Sequence, residues 1–579
     1  MRVRHAGVAH PVRTWLVLGF LLSVLGLLAT RAVYLQIFNA DYLQSQGKQR
    51  HSRVLKDNSH RGMILDRFGA PLAVSTPVDS VWAHPATLAE NRKDWGRLGA
   101  LLGLSARELR ELLARHEGRE FMYLRRHVPP ELAEKVMALG IDGVALQREY
   151  RRYYPLGPVA GHALGFTNVD DQGQEGIELA YDDWLRAVPG QRRVLRDLHG
   201  NTVELVESMV LPVPGKDLQV SLDRRIQYLA YRELKAAVER HRARAGSAVV
   251  LDARSGEVLA LVNEPDFNPN NRTNLKSQVF RNRAVTDVFE PGSTLKPFTI
   301  AAALESGQFN ARSMIDTSGG ALTVNGRTIH DTHAYAALTV AGVIEKSSNV
   351  GAAKIALALN KRDHYSLLRR AGFGSSTGIR LPGEVFGQLR SPESWVPIEQ
   401  ATIAFGYGIS ATPLQLARAY AMLANGGVSL PVTMLRQTGA PVGERVLTER
   451  TTREVRAMLE LAVSAEGTGA GAQVPDYRVA GKTGTVRKLT SQGYSEDKYV
   501  AWFAGIAPAS NPRLVMVVAV DEPRSGGYFG GQVAAPVFSR VMAGALRLLD
   551  IPADAPRGAP SRPVLLVKNV GSAHAEPAQ

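Results

Sequence analysis

The 579-residue chain contains no cysteine. That one absence removes disulfides, cysteine-ligated zinc, iron–sulfur clusters, thiol catalysis and bacterial lipoprotein acylation together. No internal repeat is present, and the 14 histidines are scattered without an H-x-x-x-H pair on a predicted helix. The sequence therefore offers no metal-ligand cluster. There is no long Lys/Arg run either. The formal net charge of +15 comes from arginines spread along the chain, which reads as a basic but unspecialised surface rather than a nucleic-acid binder. Only one long apolar run occurs, so a polytopic membrane protein is excluded. What is present is ordinary for globular domains, with 45% apolar and 21% charged residues. The length suits two to four folded units.

The apolar run opens the chain. Residues 15–29 are apolar or small without a break, and after Thr30-Arg31 the run resumes as Ala32-Val33-Tyr34-Leu35. With Arg31 snorkelling, residues 15–35 are long enough to span a bilayer. No A-x-A cleavage pattern follows, so an uncleaved anchor is expected rather than a signal peptide. Arg2, Arg4 and Arg13 precede the run, and no acid occurs before Asp41. The positive-inside rule then leaves residues 1–14 in the cytoplasm and exports the rest. An exported body also argues against nucleic acid as a partner.

Behind the anchor, residues 37–60 are polar and read as a membrane-proximal segment. Residues 61–215 mix short strands, helices and turns. Ser105 to Glu108 form a capping-box pattern ahead of Leu109, Leu112 and Leu113, and Pro129-Pro130 opens a helix over 131–139. The Pro-rich stretch Leu211–Gly215 is the boundary candidate. Beyond it, Asp223 to Arg240 has helical spacing, and 248–262 reads as a β-hairpin. Residues 499–506 and 514–520 form a second strand pair, and 534–549 a closing helix. The expected domain is α+β, with an antiparallel sheet built from both of its ends and helices on the faces. The expected division is 36–215, 216–550 and a disordered tail over 551–579.

Three short motifs fall in one order within 216–550. They are Ser293-Thr294-Leu295-Lys296, Ser347-Ser348-Asn349 and Lys482-Thr483-Gly484 followed by Thr485. Each alone is weak: Ser45–Lys48 and Ser495–Lys498 also match S-x-x-K and read as noise in polar segments. The context of Ser293 differs. Pro291-Gly292 turns the chain, and Pro297 is tolerated only near a helix start, so Ser293 sits at a helix N-terminus. Lys296 lies one turn on, on the same face.

This set suits acyl transfer. A serine hydroxyl is a poor nucleophile until a base takes its proton. A lysine can be that base when burial and a cationic neighbour such as Lys482 lower its pKa. Ser347 can relay a proton to a leaving amine, and Asn349 can hold a substrate amide. The strand leading into Lys482 can pair at a sheet edge with an extended peptide. Thr483 and Thr485 hydroxyls beside Lys482 suit a substrate carboxylate. The backbone N–H groups of Ser293 and Thr485 suit an oxyanion. A P-loop reading of Gly481-Lys482-Thr483 fails, because it needs glycine where Asp476 stands.

At this point the chain resembles the penicillin-binding proteins, in which S-x-x-K, S-x-N and K-T-G recur as a trio. The resemblance extends over nearly the whole chain. Residues 61–67, Tyr154-Pro155 through His162, Gly165-Phe166 and Gly176-Ile177-Glu178 are similar to the signatures of the class B pedestal domain. Residues 289–293, 405–408 and 528–531 resemble the division-specific branch, the FtsI or penicillin-binding protein 3 family. The resemblance implies a single transmembrane anchor, an elongated pedestal of dimerisation type and a serine β-lactamase-like transpeptidase domain. It implies a D,D-transpeptidase of the inner membrane with its catalytic domain in the periplasm, cross-linking peptidoglycan stem peptides at the septum. Ser293 would attack D-Ala–D-Ala and pass the acyl group to an amine on a neighbouring stem. β-Lactams would acylate Ser293. No metal or organic cofactor is implied, and the implied partners are an FtsW-type glycan polymerase and other divisome proteins.

Some residues carry a plainer reading. Tyr407, in Phe-Gly-Tyr-Gly, could line the cleft or simply pack. Glu384 stands roughly where a β-lactamase would place its deacylation base, but a turn role is preferred. His162 reads as structural, and Arg61, Asp66 and Glu178 as ion pairs within the pedestal. A β-lactamase, a β-lactam sensor and an idle scaffold are the rival functions. The single span and large pedestal, the short cytoplasmic segment and the intact motifs count against them in turn.

Overall fold

A computed structural model of the chain describes residues 11–39, 52–196, 202–491 and 493–555. Residues 1–10, the Ser45–Lys48 match, residues 40–51 of the membrane-proximal segment and residues 556–579 of the expected tail lie outside the described residues. Pro11–Val33 is an α-helix, continued by a π-helical turn at Tyr34–Phe38. Its 23 residues rise about 34 Å, close to the thickness of a bilayer core. None of its side chains is buried in protein. The hydroxyls of Ser23 and Thr30 donate to Gly19 O and Gly26 O one turn back, at 2.9 and 2.8 Å. The apolar surface thus carries no unsatisfied hydroxyl, as lipid requires.

The chain forms two compact units. The first gathers residues up to His60, Thr76–Arg151 and Ala187–Gly215. It contains a three-stranded antiparallel sheet of Ser52–Asp57, Gly190–Arg196 and Thr202–Val210. A separate core joins Val81, Met122 and Val144 to the helices Trp95–Leu102, Ala106–Arg115 and Pro130–Met137. The Ser105 capping box forms as expected: Ser105 Oγ accepts from Glu108 N, and the Glu108 carboxylate accepts from Ser105 N.

The second unit joins Arg61–Ser75, Arg152–Arg186 and Lys216 onward. Its centre is an antiparallel sheet of β1 (Ala245–Asp252), β2 (Val258–Glu264), β3 (Ala480–Thr490), β4 (Gly493–Ala507) and β5 (Leu514–Asp521), in the order β2-β1-β5-β4-β3. Both ends of the domain do supply it. All of β1 and β5 is buried, because both faces are covered. Ala248, Val250, Met516 and Val518 point to one side, against α1 (Arg224–Arg240) and α2 (Ala535–Leu548). Val249, Leu251, Val515 and Val517 point to the other, against the larger helical core around Phe298 and Tyr420. Such two-faced burial explains why these strands read as unbroken apolar runs rather than alternating ones. The β3–β4 hairpin is longer than the sequence suggests: past Arg487↔Tyr499 the register shifts, and Leu489 and Thr490 still pair with Tyr494 and Gly493. Ser495–Lys498 lies in that exposed stretch. At the other end, residues 551–555 are held to the body, with Asp554 accepting from Arg478 N and from Ser510.

The pedestal signatures in this unit form a buried charge cluster. Arg61 Nε and Arg152 Nε each donate to Glu178, at 2.7 Å, one to each carboxylate oxygen. Arg61 Nη1 also meets Asp182 Oδ1 at 2.6 Å. Asp66 departs from the ion-pair expectation. Its carboxylate accepts from Phe68 N and Ala70 N, both at 2.8 Å, and shapes a turn. His162 is structural: Nε2 meets Val279 O, the ring stands edge-on to Phe267, and burial lowers its pKa to about 4. Glu178→Ala would leave two buried guanidiniums without their shared counter-charge. It should destabilise this unit by about 3–5 kcal/mol, read as a lower denaturant midpoint of its unfolding transition.

Candidate active site

The loop 289–295 crosses the mouth of the sheet's outer strand. Phe289 bridges to Ala411, and Gly292, with φ of 56°, turns the chain into a 3-10 turn over Gly292–Leu295. That turn runs directly into α3 (Lys296–Glu305). A Cβ on Gly292 would stand 2.5 Å from Val486 Cγ2, so glycine is required by space as well as by φ. Gly406 closes the same junction, where any Cβ would lie 2.2 Å from Gly292 O. The helix start thus presents Ser293 at the surface of the cleft while Lys296 is 0% exposed.

Lys296 is where two of the three motifs meet. Its Nζ lies 3.0 Å from Ser293 Oγ, 3.1 Å from Ser347 Oγ, 2.5 Å from Ser347 O and 2.8 Å from Asn349 Oδ1. Burial, then the nearby charge of Lys482, holds its pKa well below the usual lysine range; Asp331 opposes this weakly. A neutral amine has two N–H donors and one lone pair. Ser347 O and the Asn349 carbonyl can only accept, so they take the two protons. The lone pair is left for a serine hydroxyl. Lys482, also 0% exposed, has its pKa lowered to about 7 by burial.

Ser347 sits at φ 60°, a left-handed backbone that costs a non-glycine residue about 1 kcal/mol. The conformation is held from behind. Ser348 caps α4 (Asn349–Ala358) by accepting from Gly351 N at 2.8 Å. Asp331, on the hairpin before it, accepts from Ser348 Oγ at 2.5 Å, from Val350 N at 2.9 Å and from Asn349 N. A carboxylate at a helix N-terminus is the favourable sign. Asn349 Nδ2 donates to His330 O at 3.0 Å, which turns its carbonyl oxygen towards Lys296.

Lys482, Thr483, Gly484 and Thr485 lie on β3, the outer strand of the sheet. Gly484 allows β3 to approach the nucleophile loop, since a Cβ there would stand 2.9 Å from Pro291 O. Thr483 Oγ1 donates to Thr468 Oγ1 at 3.0 Å, and Lys482 Nζ is 3.4 Å from the same hydroxyl. Thr485 Oγ1 accepts from Gly530 N at 2.9 Å. Tyr407 both packs and reaches β3. Its ring meets Phe405 and Tyr494 at 5.7 Å each, and burial raises its phenol pKa, with Arg487 of β3 nearby opposing the rise. Alternate N–H groups of a strand share an edge, so the N–H groups of Thr485 and Arg487 point to the same side of β3.

Asp331 and Thr468 have no pattern around them that marks a site, and are reached only through the fold, from 16 and 14 residues along the chain relative to Ser347 and Lys482. Gly530 falls within the 528–531 signature, but its contact with Thr485 shows only in the fold. Glu384 is committed to its own loop, accepting from Thr377 N, Thr377 Oγ1 and Ser376 Oγ at 2.6–2.8 Å. That fits the turn role.

Residues 246–543 match the family model described as penicillin-binding protein transpeptidase domain, and residues 56–220 match that of the penicillin-binding protein dimerisation domain. The chain belongs to the class B penicillin-binding proteins. It is 42% identical over 530 residues to the probable peptidoglycan D,D-transpeptidase PenA of Neisseria meningitidis, covering 91% of this chain and 90% of that one. Against the peptidoglycan D,D-transpeptidase FtsI of Escherichia coli it is 41% identical over 545 residues, covering 93% and 92%. The apo structure of the transpeptidase domain of Burkholderia pseudomallei penicillin-binding protein 3 superposes with a TM-score of 0.54 at 45% identity, covering 58% of this chain and 98% of that one. The α+β architecture expected for a penicillin-binding protein is the one observed.

The electrostatics of the class B site make one directional prediction. Lys482 disfavours the protonated form of Lys296, so Lys482→Met should let the Lys296 pKa rise. On acidification the neutral amine would then be lost at a higher pH. The acidic limb of the pH profile for acylation by a fluorescent penicillin should move to higher pH, beyond any uniform loss of rate.

Proposed function

We propose that the protein is a periplasmic peptidoglycan D,D-transpeptidase that works through a Ser293 acyl-enzyme. The observation that carries this reading is the convergence of Ser293 Oγ, Ser347 Oγ and Asn349 Oδ1 within 3.1 Å of one buried amine. The named relatives support it.

The donor stem lies along the free edge of β3 as an added strand. Its terminal carboxylate meets the Thr483 and Thr485 hydroxyls and the Lys482 charge, with Thr468 orienting Thr483 from behind and Gly484 giving close approach. Neutral Lys296 takes the Ser293 proton as Oγ attacks the penultimate D-Ala carbonyl. Charge developing on that oxygen is met by the N–H groups of Ser293 and Thr485. The proton returns through Ser347 to the leaving D-Ala amine, while Asn349 holds the substrate amide. An amine of a second stem then attacks the ester, and the same groups carry its proton back. A β-lactam mimics the donor up to the acyl-enzyme and stops there. Tyr407 borders the donor strand at Arg487.

The domain assignment follows the same reading. Residues 1–14 are cytoplasmic, 15–35 the anchor, 36–215 the pedestal and 216–550 the transpeptidase domain, with the N-terminus inside. The anchor and pedestal take an FtsW-type polymerase and other divisome proteins as partners, and the site of action is the septum.

Fluorescent penicillin should label the full-length protein in detergent with an adduct lasting many minutes, and Ser293→Ala should abolish the label. Rapid loss of the adduct would instead indicate a β-lactamase. Absence of any adduct would mean that the three motifs do not act together.

A further inference from the structure

Glu290 is a carboxylate with half of its bonding capacity unused. It precedes the nucleophile by three residues. Its Oε1 accepts from Gly408 N at 2.8 Å and from the Tyr494 hydroxyl at 2.9 Å. Its Oε2 is buried and has no hydrogen-bond partner among the described residues. Among the described residues no ion pair to it is formed: Lys488 on β3 is committed to Asp521 and Glu522 at 2.7–3.1 Å. A buried, unpaired carboxylate oxygen is costly unless a ligand uses it. Burial accordingly pushes the Glu290 pKa up.

Its position along the substrate follows from strand geometry. With the scissile carbonyl at Thr485 and the terminal carboxylate towards Thr483, a donor paired to β3 runs antiparallel to it. The residues that precede D-Ala–D-Ala then pass Arg487, beside Tyr407, whose ring packs on Tyr494, the partner of Glu290. A stem able to act as acceptor carries a free amine. Donors come from the same polymer, so a donor carries that amine too, upstream of its D-Ala pair.

We propose that Glu290 is a recognition residue for the side-chain ammonium of the donor stem, with Oε2 as the acceptor atom and Tyr407 and Tyr494 as the flanking wall. This rests on the transpeptidase reading above and assigns the site a preference within that substrate class. The ammonium displaces no protein bond of Oε2; it satisfies the oxygen that the folded chain leaves unpaired.

The test compares two donors, Nα-acetyl-L-lysyl-D-alanyl-D-alanine and its Nα,Nε-diacetyl form, as inhibitors of fluorescent-penicillin acylation of the full-length protein. The wild type should favour the free-amine donor by about tenfold or more, the range of one charge-assisted hydrogen bond. Glu290→Gln should bring the ratio near one. Tyr494→Phe, which removes the neighbour on Oε1 and leaves Oε2 as it is, should keep the preference. A wild-type ratio near one, or an unchanged ratio in Glu290→Gln, overturns the proposal. So does equal loss of preference in both variants, since Glu290 would then act by latching the β3–β4 hairpin. Because labelling by penicillin is itself the readout, failure of the transpeptidase reading shows separately, as a wild type that takes no label or loses it rapidly.

Discussion

An amine taken out of water holds its proton poorly, and a second amine beside it makes the proton harder still to keep. Lys296 meets both conditions, being fully buried and within the field of Lys482. Much of the site can be read as the cost and the use of that arrangement. A buried amine must spend its N–H bonds inside the protein, and the Ser347 and Asn349 oxygens accept them. Only then is the lone pair directed at a hydroxyl. Were Lys296 exposed, it would be an ordinary ammonium with nothing to offer Ser293 as a base.

Supplying those acceptors explains features that are otherwise odd. Ser347 is held in a left-handed backbone that turns its carbonyl onto Lys296. The strain persists because Ser348 and the Asp331 carboxylate anchor the start of α4 immediately after it. Lys296 in turn belongs to α3, whose residues Phe298 and Ile300 lie in the main core. The amine's position is therefore set by packing rather than by its own contacts. The chemistry sits where a rigid helix start, a strained turn and a sheet edge meet, and all three draw on the one large core that holds Phe298, Val350 and Val486.

The legible part of this architecture was the part written in local sequence. The Pro291-Gly292 turn and Pro297 mark the helix start, the apolar runs mark β1, β2 and β5, and the three motifs mark the groups around Lys296. What was not legible depends on pairing at a distance. The β3–β4 hairpin runs past its apolar portion because cross-strand pairing resumes where Leu489 meets Tyr494 and Thr490 meets Gly493, beyond a polar stretch that reads as loop. Asp66 looked like an ion-pairing acid, but its neighbours two and four residues on both donate their N–H groups to its Oδ1 and make it a turn residue. Asp331 and Thr468 sit in plain polar segments, and nothing short of the folded hairpin and the loop after Glu449–Val463 brings them to the motifs.

The outer edge of β3 gives the cleft its direction. Thr483, Thr485 and Arg487 alternate along one edge, so a peptide added there meets them in a fixed order, with a spacing of about 7 Å between them. At the Thr483 end Lys482 supplies positive charge, and at the Arg487 end Glu290 supplies negative charge with one oxygen unpaired. A donor that is anionic at its C-terminus and cationic upstream is matched at both ends by that order. On the proposed reading, strand polarity and this order of groups favour one orientation, the one that would set the scissile carbonyl over Ser293.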